Sequence, residues 1–278
     1  MRKPDFLIVG AMKAGTTSLH NYLGFHPEVF TSSPKEIHFL DEKPYDYSHF
    51  ISDKKIVGVT PQNYTKLHLS KYQNIPQLLK REIPKVKIVY LVRNPIKRIL
   101  SHYREQQKHG KEPRNGLNNF LLEENNHYLM TSMYFFQISK YLEYFPQDQI
   151  EIVLFEDLVN NRLDTLNSIF RFLGVSELKD ELMFNFKSNE SSLDSRKVDV
   201  RRFFPEVIKK FYKKTFPDEL RDFINKSFLN DLLLYRTDYK SEIISEETLS
   251  KIKPLLYKDV DDLSKLVGQD LIKFWNLK

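Results

Sequence analysis

Apolar positions along this chain follow two alternating rhythms. Apolar runs rich in β-branched residues at 6–9, 56–59, 87–92 and 150–155 have the length of strands buried on both faces. Between them, near 16–23, 72–82, 96–108, 132–144 and 163–173, apolar residues recur three and four apart and predict amphipathic helices. This alternation builds a parallel sheet with helices on both faces, because each parallel crossover must pass over the sheet. After Leu173-Gly174 the pattern becomes mostly helical, over 206–214, 218–225 and 247–266. Residues 115–126, rich in Asn and Glu, read as a loop with a short amphipathic piece. There is no internal repeat and no dividing linker, so the expectation is one α/β domain spanning residues 1–278.

The first strand leads into the first candidate chemistry. Phe6-Leu7-Ile8-Val9 ends at Gly10, a helix opens near Gly15, and Lys13 sits in the turn between them. A strand, a glycine-bounded turn and a helix N-terminus bring backbone N–H groups and the helix dipole onto an anion. Nucleotide triphosphatases write this loop G-x-x-x-x-G-K-[ST]. Here Gly10 and Gly15 keep that spacing, but Thr16 occupies the lysine position and the lysine has moved to 13. A turn lysine meets the end of a 5′-phosphate and whatever it carries, which argues against a Mg-bound triphosphate. Taken alone, the same residues also describe an ordinary strand-to-helix turn with a solvated lysine.

Two further segments add to it. Residues 86–92 form a second buried-strand candidate, followed by Arg93-Asn94-Pro95 and, two helical turns on, by Ser101. Pro95 suits the first turn of a helix. Arg93 stands at the C-terminal end of its strand, where ligands bind in open α/β sheets, and a guanidinium fork with a hydroxyl suits a terminal phosphate. Ser33-Pro34-Lys35-Glu36-Ile37-His38-Phe39 then gathers a lysine, a carboxylate and an imidazole in one short loop.

In this order the three segments resemble the sulfotransferases that use 3′-phosphoadenosine 5′-phosphosulfate (PAPS), most closely the glycan-type branch and its bacterial relatives. The resemblance continues through Thr60-Pro61 with Tyr64, Tyr141 to Pro146, Phe155-Glu156-Asp157-Leu158, Gly268-Gln269-Asp270 and the lone Trp275, nearly the whole chain. It implies a P-loop-like parallel sheet flanked by helices and sulfuryl transfer from PAPS to an acceptor hydroxyl, less readily an amine. It assigns Lys13 to the leaving oxygen, Ala14, Gly15, Thr16, Thr17 and Ser18 to the 5′-phosphate, and Arg93 with Ser101 to the 3′-phosphate. Either Glu36 or His38 is the general base, with Glu36 favoured. Residues 115–126 then border the acceptor cleft. Two positions depart from the family pattern. Val59 stands where many glycan relatives carry a lysine, so that charge is absent or comes from elsewhere, such as Lys35. The basic stretch 195–202 lacks the glycines of the loop that closes over PAPS in relatives, which leaves Arg196 and Arg202 as alternative contacts.

Composition changes this picture little. A net charge of +6 suits anionic ligands, but basic residues are interleaved with acids rather than clustered, which disfavours nucleic acid. Zero cysteines exclude disulfides. The apolar run 6–12 is too short for a membrane span or signal peptide, and the nucleotide motif starts so near Met1 that a cytoplasmic protein is expected. No metal-ligand cluster stands out, so PAPS is the expected co-substrate without a metal, and a small-molecule or carbohydrate the expected acceptor. The rival readings are a P-loop small-molecule kinase, which would want lysine at 16, and a non-catalytic nucleotide- or glycan-binding module, which would not need Lys13 and Glu36 together. Oligomeric state is not legible.

Overall fold

The computed structural model describes residues 2–41, 45–109, 116–180, 196–199, 234–237 and 242–277, with 196–199 and 234–237 described as backbone. All four predicted strands form: β1 (Phe6–Gly10), β3 (Ile56–Val59), β4 (Lys87–Val92) and β5 (Ile150–Leu154). A short strand outside the predicted runs, β2 (Val29–Thr31), joins them at one edge. The sheet is parallel throughout, in the order β2-β3-β1-β4-β5. β1 therefore lies between β3 and β4, where the chain order reverses, and in such sheets a crevice opens beyond the C-terminal strand ends. Every residue of β1 is buried. Phe6 packs so closely on Gly58 of β3 that a Cβ there would lie 1.9 Å from its ring.

The helices follow the apolar spacing, with informative differences at their ends. α1 (Thr16–Gly24), α2 (Ile75–Glu82), α3 (Pro95–Lys108), α7 (Phe155–Asn160) and α8 (Arg162–Leu173) connect or flank the strands. Phe155, expected in a strand, instead opens α7. The helix expected over 132–144 forms as α6 (Tyr134–Leu142), and a further short helix that was not expected, α5 (His127–Ser132), precedes it, the two separated by Met133 at φ −81° and ψ 81°. A further short helix, α4 (Leu117–Leu122), occupies part of the Asn-rich segment. α3 starts because Pro95 needs no N–H partner and Asn94 caps it, accepting from Lys97 N–H at 3.0 Å.

After α8 ends at left-handed Gly174, two short antiparallel strands, β6 (Arg196–Asp199) and β7 (Leu234–Thr237), appear in a region expected to be mostly helical. The helices expected at 206–214 and 218–225 lie outside the described residues. The long C-terminal helix α9 (Glu246–Val267) forms as expected, and α10 (Leu271–Phe274) follows it.

Two apolar clusters hold this frame. The larger centres on β1, β4 and the buried tyrosines 64, 90, 134 and 141; the smaller joins α3, α4 and α5 to α9 through Ile99, Tyr103, Leu121 and Ile252. Truncating a fully buried member such as Leu91 to alanine costs about 2–5 kcal/mol in cores of this kind. Asp259 of α9 pins the C-terminal helix to the core by accepting from the backbone N–H groups of Phe135 and Phe136 at 3.0 and 2.8 Å. Among the described residues, no helix is long and apolar enough to cross a membrane.

Candidate active site

The turn after β1 is built for an anion. Ala11 N–H donates to the Leu91 carbonyl at 2.7 Å, which ties the turn to β4. Gly15 then adopts φ +98°, and a Cβ there would lie 2.6 Å from the Phe155 ring. Both the backbone and the close ring require glycine. The first bond of α1 runs from Leu19 N–H to the Gly15 carbonyl, and no side chain caps the helix. The N–H groups of Thr16, Thr17 and Ser18 thus stand outside the helical ladder, at the positive end of the dipole. Lys13 projects from a left-handed residue, φ +69°, and its Nζ lies 3.2 Å from Glu105 Oε2.

The opposite wall comes from the start of α3. Arg93 lies over the Phe155 ring at 4.5 Å, and its Nη1 reaches the Lys13 carbonyl at 3.4 Å. Its Nε is buried without a hydrogen-bond partner, and burial lowers its pKa. Ser101 lies on α3, which begins two residues after Arg93. Arg98, within the same motif, is not a ligand group but fully buried. It donates through Nε to Ser132 Oγ (2.5 Å), through Nη1 to the Met12 carbonyl (3.4 Å), and through Nη2 to the Tyr128 carbonyl. It fastens the turn to α5 from beneath.

The third wall is the 34–39 loop. Lys35 Nζ donates to Thr17 Oγ1 at 3.0 Å and pairs with Glu36 at 3.1 Å, so a lysine does stand beside the helix N-terminus despite Val59. Gln62 links the loop to the turn: its amide donates to Glu36 Oε1, and its carbonyl oxygen accepts from Thr16 Oγ1 at 3.1 Å. His38 lies behind Glu36, its Nε2 3.9 Å from Glu36 Oε2, with its ring edge-on to Tyr64. The His38 contact, with Lys35 and Gln62, holds the Glu36 carboxyl down at about 2 against the opposing effect of burial.

These walls enclose one cleft of about 630 Å³, lined by Lys13, Gly15, Thr16, Thr17, Ser18, Lys35, Glu36, Gln62, Arg93 and Ser101. Ala14 is buried and His38 stands outside the lining. Arg196 lies in β6, whose backbone runs against α3, and Arg202 lies outside the described residues. Gln62, Glu105 and Phe155 line the cleft without having been singled out for it. Only Phe155 carried a signal, as the first residue of the F-E-D-L motif. The remaining motifs brace the site. Glu156 accepts from Asn94 N–H (3.0 Å), the Trp275 carbonyl accepts from the Asn94 side chain (3.0 Å), and Tyr141 donates to the Tyr64 carbonyl (2.7 Å). Among the described residues, no group of three or more His, Cys, Asp or Glu side chains is arranged to hold a metal ion.

The comparisons agree with this geometry. The profile of the sulfotransferase domain family matches residues 3–236. Heparan sulfate glucosamine 3-O-sulfotransferase 5 of Mus musculus is 28% identical over 252 residues, covering 76% of this chain and 72% of that one. The bifunctional heparan sulfate N-deacetylase/N-sulfotransferase of Drosophila melanogaster is 25% identical over 210 residues, covering 64% of this chain. This chain matches only 20% of that relative's length. The crystal structure of a sulfotransferase from Alicyclobacillus acidocaldarius shares the fold over 99% of this chain and 100% of its own, with a TM-score of 0.66 at 20% identity. With its family profile matched over most of its length and its turn, arginine and carboxylate gathered in one cleft, this chain belongs to the sulfotransferase family.

Proposed function

We propose that the cleft binds PAPS and transfers its sulfuryl group to a hydroxyl, less readily an amine, of a sugar or other small acceptor. The observation that carries this reading is the single cleft lined at once by Lys13, the open N-terminus of α1, Arg93 with Ser101, and Glu36. The residues fit such a ligand. Arg93 keeps a buried, unpartnered Nε, and three N–H groups at a helix end suit a second anionic group. PAPS, when bound, supplies a sulfuryl group on a phosphate leaving group that gains negative charge during transfer.

The chain's own groups divide that work. Thr16, Thr17 and Ser18 donate backbone N–H groups to the 5′-phosphate, and Gly15 lets the backbone approach it closely. Arg93 and Ser101 hold the 3′-phosphate. Lys13 directs its ammonium to the developing charge, the kind of preorganised donor that accounts for much enzymatic rate. Glu36 takes the acceptor's proton, held in place by His38 behind it. A carboxylate at about 2 is ionised but a poor base. Lys35 turning toward an incoming anion relieves part of that depression and strengthens Glu36 as a base.

The relatives' names specify heparan sulfate, N-sulfation and glucosamine 3-O-sulfation, so carbohydrates head the acceptor classes for this chain. We place the reaction in the cytoplasm. The test is transfer of ³⁵S from labelled PAPS to a panel of glucosamine-containing oligosaccharides and simple glycosides. The expected result is label on the sugar with matching release of 3′-phosphoadenosine 5′-phosphate (PAP). Transfer of the γ-phosphate from ATP, with PAPS left intact, would replace this reading with a kinase.

A further inference from the structure

Glu105 has no role in the scheme above, yet its carboxylate lines the cleft. It follows Ser101 by four residues on α3, so both side chains share one helix face. Its Oε2 lies 3.2 Å from Lys13 Nζ, and its Oε1 lies 3.3 Å from His109 Nε2. The Lys13–Glu105 pair is partly exposed, at 27% and 33% of the two side chains. Burial opposes ionisation of Glu105, but the Lys13 ammonium, with a smaller contribution from His109, overrides it and keeps the carboxyl below its ordinary value.

A carboxylate lining a cleft for a polyanion repels its ligand unless a cation neutralises it. Here that cation is Lys13, the lysine that the proposed transfer requires elsewhere. The two demands compete, because an ammonium drawn to the 5′ end of a nucleotide divides its three donors between that group and Glu105. We propose that Glu105 is a positioning residue that competes with the nucleotide for Lys13. It holds the ammonium against α3 while the 5′ end of the cleft is empty, and takes it back after transfer, easing departure of the spent nucleotide. This inference rests on the PAPS reading of the same cleft.

The test is titration of PAP into four proteins: wild type, Glu105→Gln, Lys13→Ala and the double variant. Freed from its competitor, Lys13 in Glu105→Gln should bind PAP about two- to fivefold tighter, the scale of a partly exposed ion pair. In the Lys13→Ala background the same substitution should tighten binding by a clearly smaller factor, since only direct repulsion by the carboxylate is left to relieve and the cost of breaking the pair is gone. Glu105→Asp, which keeps the charge, should restore affinity toward wild type. Melting temperatures without nucleotide check that the half-exposed site tolerates the change, and Glu105→Ala repeats the cycle should the amide fold poorly. Equal tightening in both backgrounds means simple repulsion and overturns the proposal, as does weaker binding by Glu105→Gln. Failure of wild type to bind PAP at all would remove the PAPS reading and this inference together, whereas PAP binding without coupling removes this inference alone.

Discussion

Lys13, Arg93 and Glu36 each make a claim that a single substitution can test. The Lys13 side chain is partly exposed in the cleft and its left-handed backbone costs alanine no more than lysine, so the alanine variant should fold normally. In the proposed role its ammonium matters most when charge grows on the leaving oxygen. Lys13→Ala should therefore lose about 10²–10³ in kcat, with a smaller change in nucleotide affinity. Steady-state kinetics checks this, and a variant with wild-type kcat and only a raised KM for PAPS would reassign Lys13 to ground-state binding. The proton acceptor separates on pH. Glu36, held down at about 2, is ionised throughout the neutral range. With Glu36 as base, kcat/KM should stay level on the acid side down to about pH 5, and Glu36→Gln should lose about 10²–10⁴ in rate. His38→Ala should cost far less, through looser positioning of Glu36. An acid limb near ~6.5, with His38→Ala the more damaging variant, would instead make the imidazole the base.

Among the elements, the C-terminal helix carries a testable electrostatic feature. Asp259 caps the start of α6 from α9, and burial raises its carboxyl to about 6 despite the N–H groups it accepts from. The folded state therefore takes up a proton more readily than the unfolded chain between pH 4 and 6. Its contribution is fully present below about 4 and is lost as pH rises through about 6. Asp259→Asn, which cannot titrate, should flatten that part of the stability profile. Denaturant unfolding at pH 4.5 and 7 should show wild type losing on the order of 1–3 kcal/mol relative to the variant; parallel profiles would contradict the assignment. The elements were largely legible because β1, β4 and β5 are predominantly apolar runs rich in Ile, Val and Leu, and α3 carries its own start signal in Asn94-Pro95. β2 was not, since three residues show no period. α5 was not legible either, since six residues make fewer than two helical turns and show no apolar period. Arg98 and Glu105 were illegible for one reason: charged residues on a helix read as solvated, and only the packing of α3 against the turn shows one buried and the other in the cleft.

The whole molecule joins three distant segments, each ambiguous alone, at the C-terminal edge of one parallel sheet. β1 supplies the turn and α1, β4 supplies Arg93, and the loop between β2 and β3 supplies Glu36. Because the two proposed phosphate positions lie on different elements, the fold as a unit should read the 3′-phosphate rather than adenine nucleotides in general. The most direct measurement is calorimetric titration of wild type and Arg93→Ala with PAP and with adenosine 5′-phosphate, which lacks the 3′-phosphate. Wild type should bind PAP about 10- to 100-fold tighter, the value of losing a charge-assisted contact of roughly 1.5–3 kcal/mol. Arg93→Ala should lose most of that preference while binding adenosine 5′-phosphate almost as well as wild type. Equal affinity of wild type for the two nucleotides would contradict the account at its centre.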